Sequence, residues 1–563
     1  MKKKVTAAVL SIVLAAGILA GCGVGKDSGV FPFGGNAEAP MEETEPWYDT
    51  GEEAGGYYEE APAEWDGAAA TGESYADSCY QFDEPTPDSE EYSKWQEKGF
   101  FTVMNQPLST FAADVDTASY SNLRRMITDG YTLDEIPEKA VRIEEMLNYF
   151  TYDYKQPEGG EPFGVTTVIS RCPWNEEAQL LMIGLKTEEI DYADAPASNL
   201  VFLLDVSGSM GDYDKLPLLQ EAFGMLAENL TEKDRISIVT YASEDKIVLE
   251  GVSGDKKTKI RRALNSLEAG GGTYGSRGLE TAYRIAGENF IEGGNNRIIL
   301  ATDGDLNIGM TTQEELEELI TEKRESGIFL SVLGFGTGNI KDNKMETLAD
   351  KGNGNYAYID SMREAKKVLE KEMTATLLTI CKDVKLQVEF NPAVVAEYRL
   401  IGYENRVLDR KDFEDDTKDA GEIGAGHSVT AMYELTLKDP LTPLSEKEIE
   451  NLKYGDHYKE ELEASDGAGK ASEEEWLTIS IRYKKPAEDT SSLLQYPVSF
   501  DSYTYEPGED FQFAAAVAEF GLLASHSEYP EGASVEHVLS VLKEMNLEDE
   551  YKAEFEELVQ EVR

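Results

Sequence analysis

Long apolar runs alternate with amphipathic stretches through the middle of the chain. Strand-forming runs occupy 200–204, 235–241, 297–302 and 329–335, and the stretches between them carry apolar residues at helical spacing. Wholly apolar runs suit strands buried on both faces of a parallel sheet, and the β–α–β order is what a doubly wound sheet requires. We therefore predict an α/β domain with a doubly wound, mostly parallel sheet over residues 197–380. Its other predicted elements are helices near 215–230, 256–267, 276–291 and 312–325, a hairpin strand at 246–250 and a short last strand at 356–359.

Strand-like runs occur on both sides of this domain. Two lie before it within 161–196, and those after it within 381–500 alternate apolar and polar residues. Such alternation is typical of antiparallel strands with one face toward water. We predict that these strands join into one antiparallel β unit with the α/β domain inserted in it. Helical spacing further predicts a helical N-terminal segment at 101–160 and a helical C-terminal segment at 501–563.

The first 22 residues have the pattern of an export signal. Three lysines follow Met1, an uncharged apolar stretch follows them, and small residues precede Cys22. The stretch is marginal in length for a spanning helix, and its small-residue end is typical of cleaved signals. It resembles a bacterial lipoprotein signal peptide, which implies diacylglyceryl and palmitate attachment at Cys22 and a lipid anchor on the extracytoplasmic face of the cell membrane. An uncleaved anchor is the alternative, and either reading exports the rest of the chain.

Residues 23–100 are rich in Gly, Ala, Pro, Glu and Asp and poor in Ile, Leu and Val. Such a stretch cannot bury enough apolar surface to offset chain entropy, so we predict a disordered acidic tether. The formal net charge of the whole chain is −57. This charge argues against nucleic acid and anionic lipid surfaces as partners, because both would be repelled. Contact with the membrane is therefore expected through the lipid anchor only.

The chain has four cysteines and four histidines, and the histidines are scattered, without zinc-site spacing. Cys22 is assigned to lipid and Cys79 lies in the predicted tether. Cys172 and Cys381 flank the α/β domain and would lie close together if the flanking strands form one sheet. A disulfide needs Cα atoms within about 7 Å of each other. The alternative to a disulfide is two buried free thiols.

Oxygen-bearing side chains follow two of the predicted buried strands. Asp205 ends the first strand, and Ser207 and Ser209 come directly after it. A glycine-rich loop carries Thr273, and Asp303 ends a later strand. Strand ends of a doubly wound sheet meet at one rim, where such folds bind ligands, and hard oxygen donors suit Mg²⁺. The alternative is that these residues only cap helices and form turns.

The pattern D-x-S-x-S, a loop threonine and a strand-end aspartate resemble the metal-ion-dependent adhesion site (MIDAS) of the von Willebrand factor type A (VWA) domain, a Rossmann-like fold. All five positions match. The resemblance implies that Ser207, Ser209 and sometimes Thr273 contact the ion directly, and that Asp205 and Asp303 act mainly through coordinated waters. It implies Mg²⁺, with Mn²⁺ or Ca²⁺ as alternatives. From about residue 100 onward, the chain resembles a group of bacterial VWA lipoproteins that share an N-terminal segment and a C-terminal tail domain.

Two other motifs compete with this interpretation. Asp303 and the acidic residues after it, with Glu314, mimic the ligand spacing of an EF-hand loop, but Ile308 stands where that loop needs glycine. Asp114 and Asp116 resemble the nucleophile loop of haloacid-dehalogenase-type phosphatases, but the required Thr or Val two places after the second aspartate is absent. For this pair we expect a capping role at the following helix.

Three classes of function fit the sequence. The first is a surface protein whose Mg²⁺ takes its last ligand from an Asp or Glu of a protein partner. The second is an envelope assembly or chaperone factor that uses the same site on a client. The third is a metal-dependent hydrolase, which needs a general base or nucleophile near the ion. The motif loops offer hydroxyls but no His, Lys or Cys, so we predict a protein that is not an enzyme.

Overall fold

The computed structural model describes residues 90–562, apart from 305–312, 439–474 and positions 193, 274, 373, 374, 376 and 487. The predicted signal peptide, Cys22 and most of the predicted tether therefore lie outside the described residues. The tether boundary at residue 100 is wrong, because residues 90–100 pack on the folded part. Asn122 donates a hydrogen bond to the Tyr92 hydroxyl at 3.1 Å, and Arg125 pairs with Glu90 at 3.1 Å.

The elements are numbered in chain order. The strands are β1 (Phe101–Thr102), β2 (Leu108–Ala112), β3 (Phe163–Arg171), β4 (Gln179–Thr187), β5 (Ser198–Asp205), β6 (Arg235–Tyr241), β7 (Asp245–Ser253), β8 (Asn295–Thr302), β9 (Phe329–Phe335), β10 (Tyr356–Ile359), β11 (Thr379–Phe390), β12 (Val395–Ile401), β13 (Gly421–Gly424), β14 (Ser428–Leu437), β15 (Glu475–Lys484) and β16 (Ser492–Ser499). The helices are α1 (Ala118–Thr128), α2 (Ile143–Tyr149), α3 (Leu216–Asn229), α4 (Lys257–Leu264), α5 (Gly275–Glu288), α6 (Gln313–Arg324), α7 (Asp342–Lys351), α8 (Met362–Lys366), α9 (Glu509–Ala524), α10 (Val535–Glu544) and α11 (Glu550–Glu561). In the part of the chain that the structure describes, no helix is both long enough and apolar enough to span a bilayer.

The central α/β domain contains a sheet in the order β10-β9-β8-β5-β6-β7. All neighbours in it are parallel except the hairpin of β6 and β7. Every residue of β5 is buried, and its side chains alternate between two cores: Phe202 packs with α3 and α4, and Leu203 packs with α5 and α7. Helices on both faces explain the unbroken apolar runs. The predicted doubly wound sheet is confirmed.

The flanking β unit is a sandwich of two antiparallel sheets. One sheet has the order β1-β12-β14-β4-β3, and the other has β13-β11-β15-β16 with β2 also paired to β11. Because β4 pairs with β14 across the inserted domain, the predicted insertion is confirmed. The predicted helical segment at 101–160 contains α1 and α2, but it also contains β1 and β2, which add one strand to each sheet. The apolar faces of the two sheets pack against each other and are buried in this sandwich.

A helical layer covers the outer face of the sheet that contains β4. It consists of α1, α2 and α9–α11, which share one core with that sheet. Along β4, Leu181 faces the sandwich core and Leu180 faces the helices, so the expectation of a water-facing side is wrong for this strand. Gly184 permits the close approach, because a Cβ there would lie 2.5 Å from the Tyr154 ring.

Cys172 and Cys381 do not form a disulfide. Both are free and buried. Cys172 lies in the core beneath the helical layer, whereas Cys381 lies in the sandwich core between the two sheets. Of the two possibilities that the sequence left open, the structure shows two buried free thiols, because the flanking strands form two stacked sheets and place the thiols in different cores.

Buried arginines join the inserted domain to the flanking unit. Arg142, at the start of α2, contacts Asp342 of α7 at 2.6 Å. Arg406 pairs with Asp350 of α7 at 2.6 Å and with Asp114 and Asp116 at 3.2 and 3.3 Å. The expected capping role of these two aspartates is therefore wrong. They neutralise Arg406, and Asp116 also accepts the backbone N–H of Tyr356 at 2.8 Å.

Candidate metal centre

The turn after β5 brings three of the predicted residues together. The Asp205 carboxylate accepts the Ser207 backbone N–H at 2.9 Å, and the Ser207 and Ser209 hydroxyl oxygens lie 3.0 Å apart. The other oxygen of Asp205 accepts the Thr302 hydroxyl at 3.2 Å. Ser207 makes no side-chain capping bond to the following turn. Asp205 therefore forms a turn, as the capping alternative expects, whereas the hydroxyls of Ser207 and Ser209 bond to each other.

The glycine-rich loop docks directly on this turn. The Gly208 backbone N–H donates to the Gly271 carbonyl at 3.0 Å, and the Gly270 N–H donates to the Val206 carbonyl at 2.8 Å. Gly271 has φ +86°, and a Cβ there would lie 2.5 Å from the Ser243 hydroxyl, so the loop conformation requires glycine. Thr273 follows two residues later and is partly buried. The loop that carries Thr273 is thus docked on the serine turn at two glycines.

Asp303 completes the group directly after β8. Strand β8 runs parallel to β5 in a register that places Leu204 opposite Ala301, so Asp205 and Asp303 reach the same rim. Asp205 is 0% exposed and Asp303 is 2% exposed. Both carboxylates thus lie beneath the partly exposed serine turn. The structure brings Asp205, Ser207, Ser209 and Asp303 to one edge of the sheet.

Lys215 is the residue that sequence reasoning missed. Its ammonium lies 3.1 Å from the Asp303 carboxylate, and the residue is only 6% exposed. The expectation that the motif loops supply no lysine is wrong. A signal was present in the chain, because Lys215 is the last polar residue between the D-x-S-x-S turn and the apolar face of α3. The ammonium of Lys215 is thus held in a salt bridge with Asp303.

Burial sets the charge state of the first carboxylate. It raises the pKa of Asp205 from 3.8 to about 6, an effect that hydrogen bonds from Ser207 oppose and the nearby charge of Asp303 reinforces. A buried carboxylate is stabilised by any cation nearby. A further cation, in addition to Lys215, would therefore stabilise the ionised form of Asp205.

The donor set fits a hard divalent cation. It offers two neutral hydroxyls at close spacing and two buried carboxylates, all oxygen ligands of the kind that Mg²⁺ prefers. The ammonium on Asp303 shows that one carboxylate of the rim already pairs with a cation. Within the described residues, no group of three or more His, Cys, Asp or Glu is arranged to hold a metal. The EF-hand alternative falls largely on residues 305–312, outside the described residues.

The doubly wound sheet and this rim define a VWA-domain protein. Residues 199–371 match the family described as von Willebrand factor type A domain, 86–182 match one described as von Willebrand factor, and 375–563 match "Uncharacterized protein YfbK, C-terminal". Over 483 residues the chain is 41% identical to "Uncharacterized protein YfbK" of Escherichia coli strain K12. The matched region covers 84% of this chain and 81% of that protein. The chain belongs to the YfbK family.

Solved structures resemble this chain at lower identity. A von Willebrand factor type A protein from Catenulispora acidiphila is 15% identical with a TM-score of 0.39, covering 73% of this chain and 91% of that one. Proximal thread matrix protein 1 from the mussel byssus, described with a zinc-occupied MIDAS motif, is 23% identical with a TM-score of 0.27. It covers 31% of this chain and 45% of that one.

Proposed function

We propose that this chain is a surface-anchored protein that binds a protein partner through Mg²⁺ held by Asp205, Ser207, Ser209, Thr273 and Asp303. The single observation that carries the proposal is the pairing of two neutral hydroxyls at 3.0 Å above buried carboxylates. Neutral ligands leave a bound ion short of negative charge. An Asp or Glu side chain of a partner supplies that charge and completes the coordination.

The surface around the site suits a protein partner. Ser209 is exposed, and Tyr213 in the same loop is 87% exposed. Tyrosine is enriched among the residues that dominate binding energy at protein interfaces. An exposed aromatic beside a charge-seeking ion offers a partner an apolar contact and an electrostatic one within a single loop.

The chemistry of the rim favours binding over catalysis. A hydrolase needs a group that takes or donates a proton at the reacting atoms. Lys215 is engaged by Asp303 at 3.1 Å, and Asp205 is engaged by Ser207 and Thr302. These contacts support a role that is not enzymatic.

The anchor is proposed from the sequence. The apolar stretch that ends at Cys22 supports export and lipidation, with the folded part displayed on the extracytoplasmic face of the membrane. Under this proposal the partner is another exported or envelope protein. Adhesion and envelope assembly share this site chemistry, and the identity of the captured partner separates them.

Capture from envelope extract tests the proposal. Immobilised full-length chain is exposed to extract in Mg²⁺ and then in EDTA. We expect a partner that is retained in Mg²⁺, released by EDTA and recaptured when Mg²⁺ is restored. Ser209→Ala should lose capture, whereas Ser266→Ala removes an exposed hydroxyl bonded only to a local carbonyl at 2.8 Å and should not. Capture that is indifferent to EDTA and to Ser209→Ala contradicts the proposal.

A further inference from the structure

Lys215 is placed inside the candidate metal centre. Its ammonium lies 3.1 Å from Asp303 on the buried side and 4.0 Å from Asp212 on the exposed side. The Asp212 side chain is 73% exposed, so solvent screens that contact, whereas the Asp303 side chain is fully buried. Asp303 is therefore the partner that fixes the ammonium.

The backbone and the aliphatic stem of Lys215 are also held in place. Its backbone N–H donates to the Asp212 carbonyl at 3.2 Å, and its carbonyl accepts the Leu219 N–H at 2.8 Å, which starts α3. Its aliphatic stem crosses Gly336, directly after β9. A Cβ at Gly336 would lie 2.3 Å from Cγ and 2.4 Å from Cε of the lysine. The absence of a side chain at Gly336 thus leaves room for the lysine stem, which lets the ammonium reach the rim.

We propose that Lys215 is an internal cation that makes the metal centre selective for anionic ligands. Asp205, Asp303 and Lys215 together carry one net negative charge. A divalent cation at the rim therefore leaves one net positive charge, which an anionic group neutralises. Without Lys215 the two carboxylates neutralise the ion by themselves, and the attraction for an anion falls. This inference rests on the proposed function and names what sets its ligand class.

The proposal predicts opposite effects on two affinities. Removing the ammonium removes repulsion toward Mg²⁺, so metal-free Lys215→Met should bind Mg²⁺ about 10-fold more tightly, the opposite of the loss caused by removing a group that only orients a metal ligand. The same variant should bind a carboxylate about 10-fold more weakly. A merely structural lysine would not move the two affinities in opposite directions.

Calorimetry and one spectroscopic probe test both effects on the full chain. Mg²⁺ is titrated into metal-free wild type, Lys215→Met and Lys233→Met. Lys233 precedes β6 at the opposite edge of the sheet, and its ammonium donates to the Tyr192 carbonyl at 3.3 Å, so its variant should bind Mg²⁺ like wild type. Acetate is then added to Mn²⁺-saturated protein, where paramagnetic broadening of its methyl signal reports binding next to the ion.

The outcomes separate this inference from the proposed function. Tighter Mg²⁺ binding with weaker acetate broadening in Lys215→Met supports the internal cation. Unchanged or weaker Mg²⁺ binding overturns it while leaving the proposed function intact, provided that wild type binds Mg²⁺. Wild type that binds no Mg²⁺ defeats the proposed function itself. Because the variant removes the cation that pairs with the fully buried Asp303 side chain, it should also melt at a lower temperature without metal and gain more from Mg²⁺ than wild type. An equal gain counts against the proposal.

Discussion

The buried pair of Arg142 and Asp342 predicts a large loss of stability when it is broken. The guanidinium contacts both oxygens of Asp342, at 2.6 and 3.2 Å, and also bonds to Glu145. The arginine and Asp342 side chains are each 2% exposed, and that of Glu145 is fully buried. Arg142→Met keeps much of the apolar stem but leaves the buried carboxyl groups of Asp342 and Glu145 without a counter-charge. Breaking such a pair costs about 3–5 kcal/mol.

Urea unfolding of the full chain measures this loss. The matched control is Arg284→Met, since Arg284 pairs with Glu288 at 3.0 Å with both side chains 50% exposed, and an exposed pair is worth roughly 0.3–0.5 kcal/mol. Burial raises the pKa of Glu145 to about 8, although Arg142 opposes the shift. Protonation therefore relieves the variant at low pH, and its deficit should grow as the pH rises. A deficit no larger than that of Arg284→Met would refute the reasoning.

Two further predictions concern the flanking unit and the rim. Burial, reinforced by neighbouring carboxylates, raises the pKa of Glu144 from 4.5 to about 8, so its stabilising contribution is full below pH 4.5 and lost as the pH rises through 8. Glu144→Gln should match wild type in urea unfolding at pH 4 and exceed it at pH 8, with a maximum slope of about 1.4 kcal/mol per pH unit for one group. Parallel stability curves would contradict this. Tyr213→Ser should weaken partner capture while leaving Mg²⁺ affinity by calorimetry unchanged, and undiminished capture would remove Tyr213 from the interface.

Much of the fold was predictable because its signals are local. The apolar run that ends at Asp205 and the one that ends before Asp303 each predict a strand, and their last residues predict which side chains lie at the rim. The strand-like runs before the domain and the alternating runs after it likewise predicted strands that meet across it. Periodicity reports which face of an element is buried, but not what buries it. The pairing of two sheets, and the helical layer on β4, were therefore outside its reach.

The parts that were missed depend on contacts distant in sequence. Lys215 reaches Asp303 only because Gly336, more than a hundred residues later, leaves room for its stem. Arg406 pairs with Asp114 and Asp116, which precede it in the sequence by 292 and 290 residues. No spacing rule links such positions, since each pairing is created by the packing of separate elements.

Magnesium calorimetry on Asp205→Ala is the decisive experiment for a metal centre at this rim. The variant removes a carboxylate held by the Ser207 N–H and the Thr302 hydroxyl, and we expect a loss of about 10–100-fold in Mg²⁺ affinity. The control is Asp234→Ala, because Asp234 is also 0% exposed and bonded, accepting the Ser198 N–H at 2.9 Å at the opposite edge of the sheet. It should bind Mg²⁺ like wild type. Equal affinity in wild type and Asp205→Ala, or no measurable binding by wild type, would contradict a metal centre at this rim.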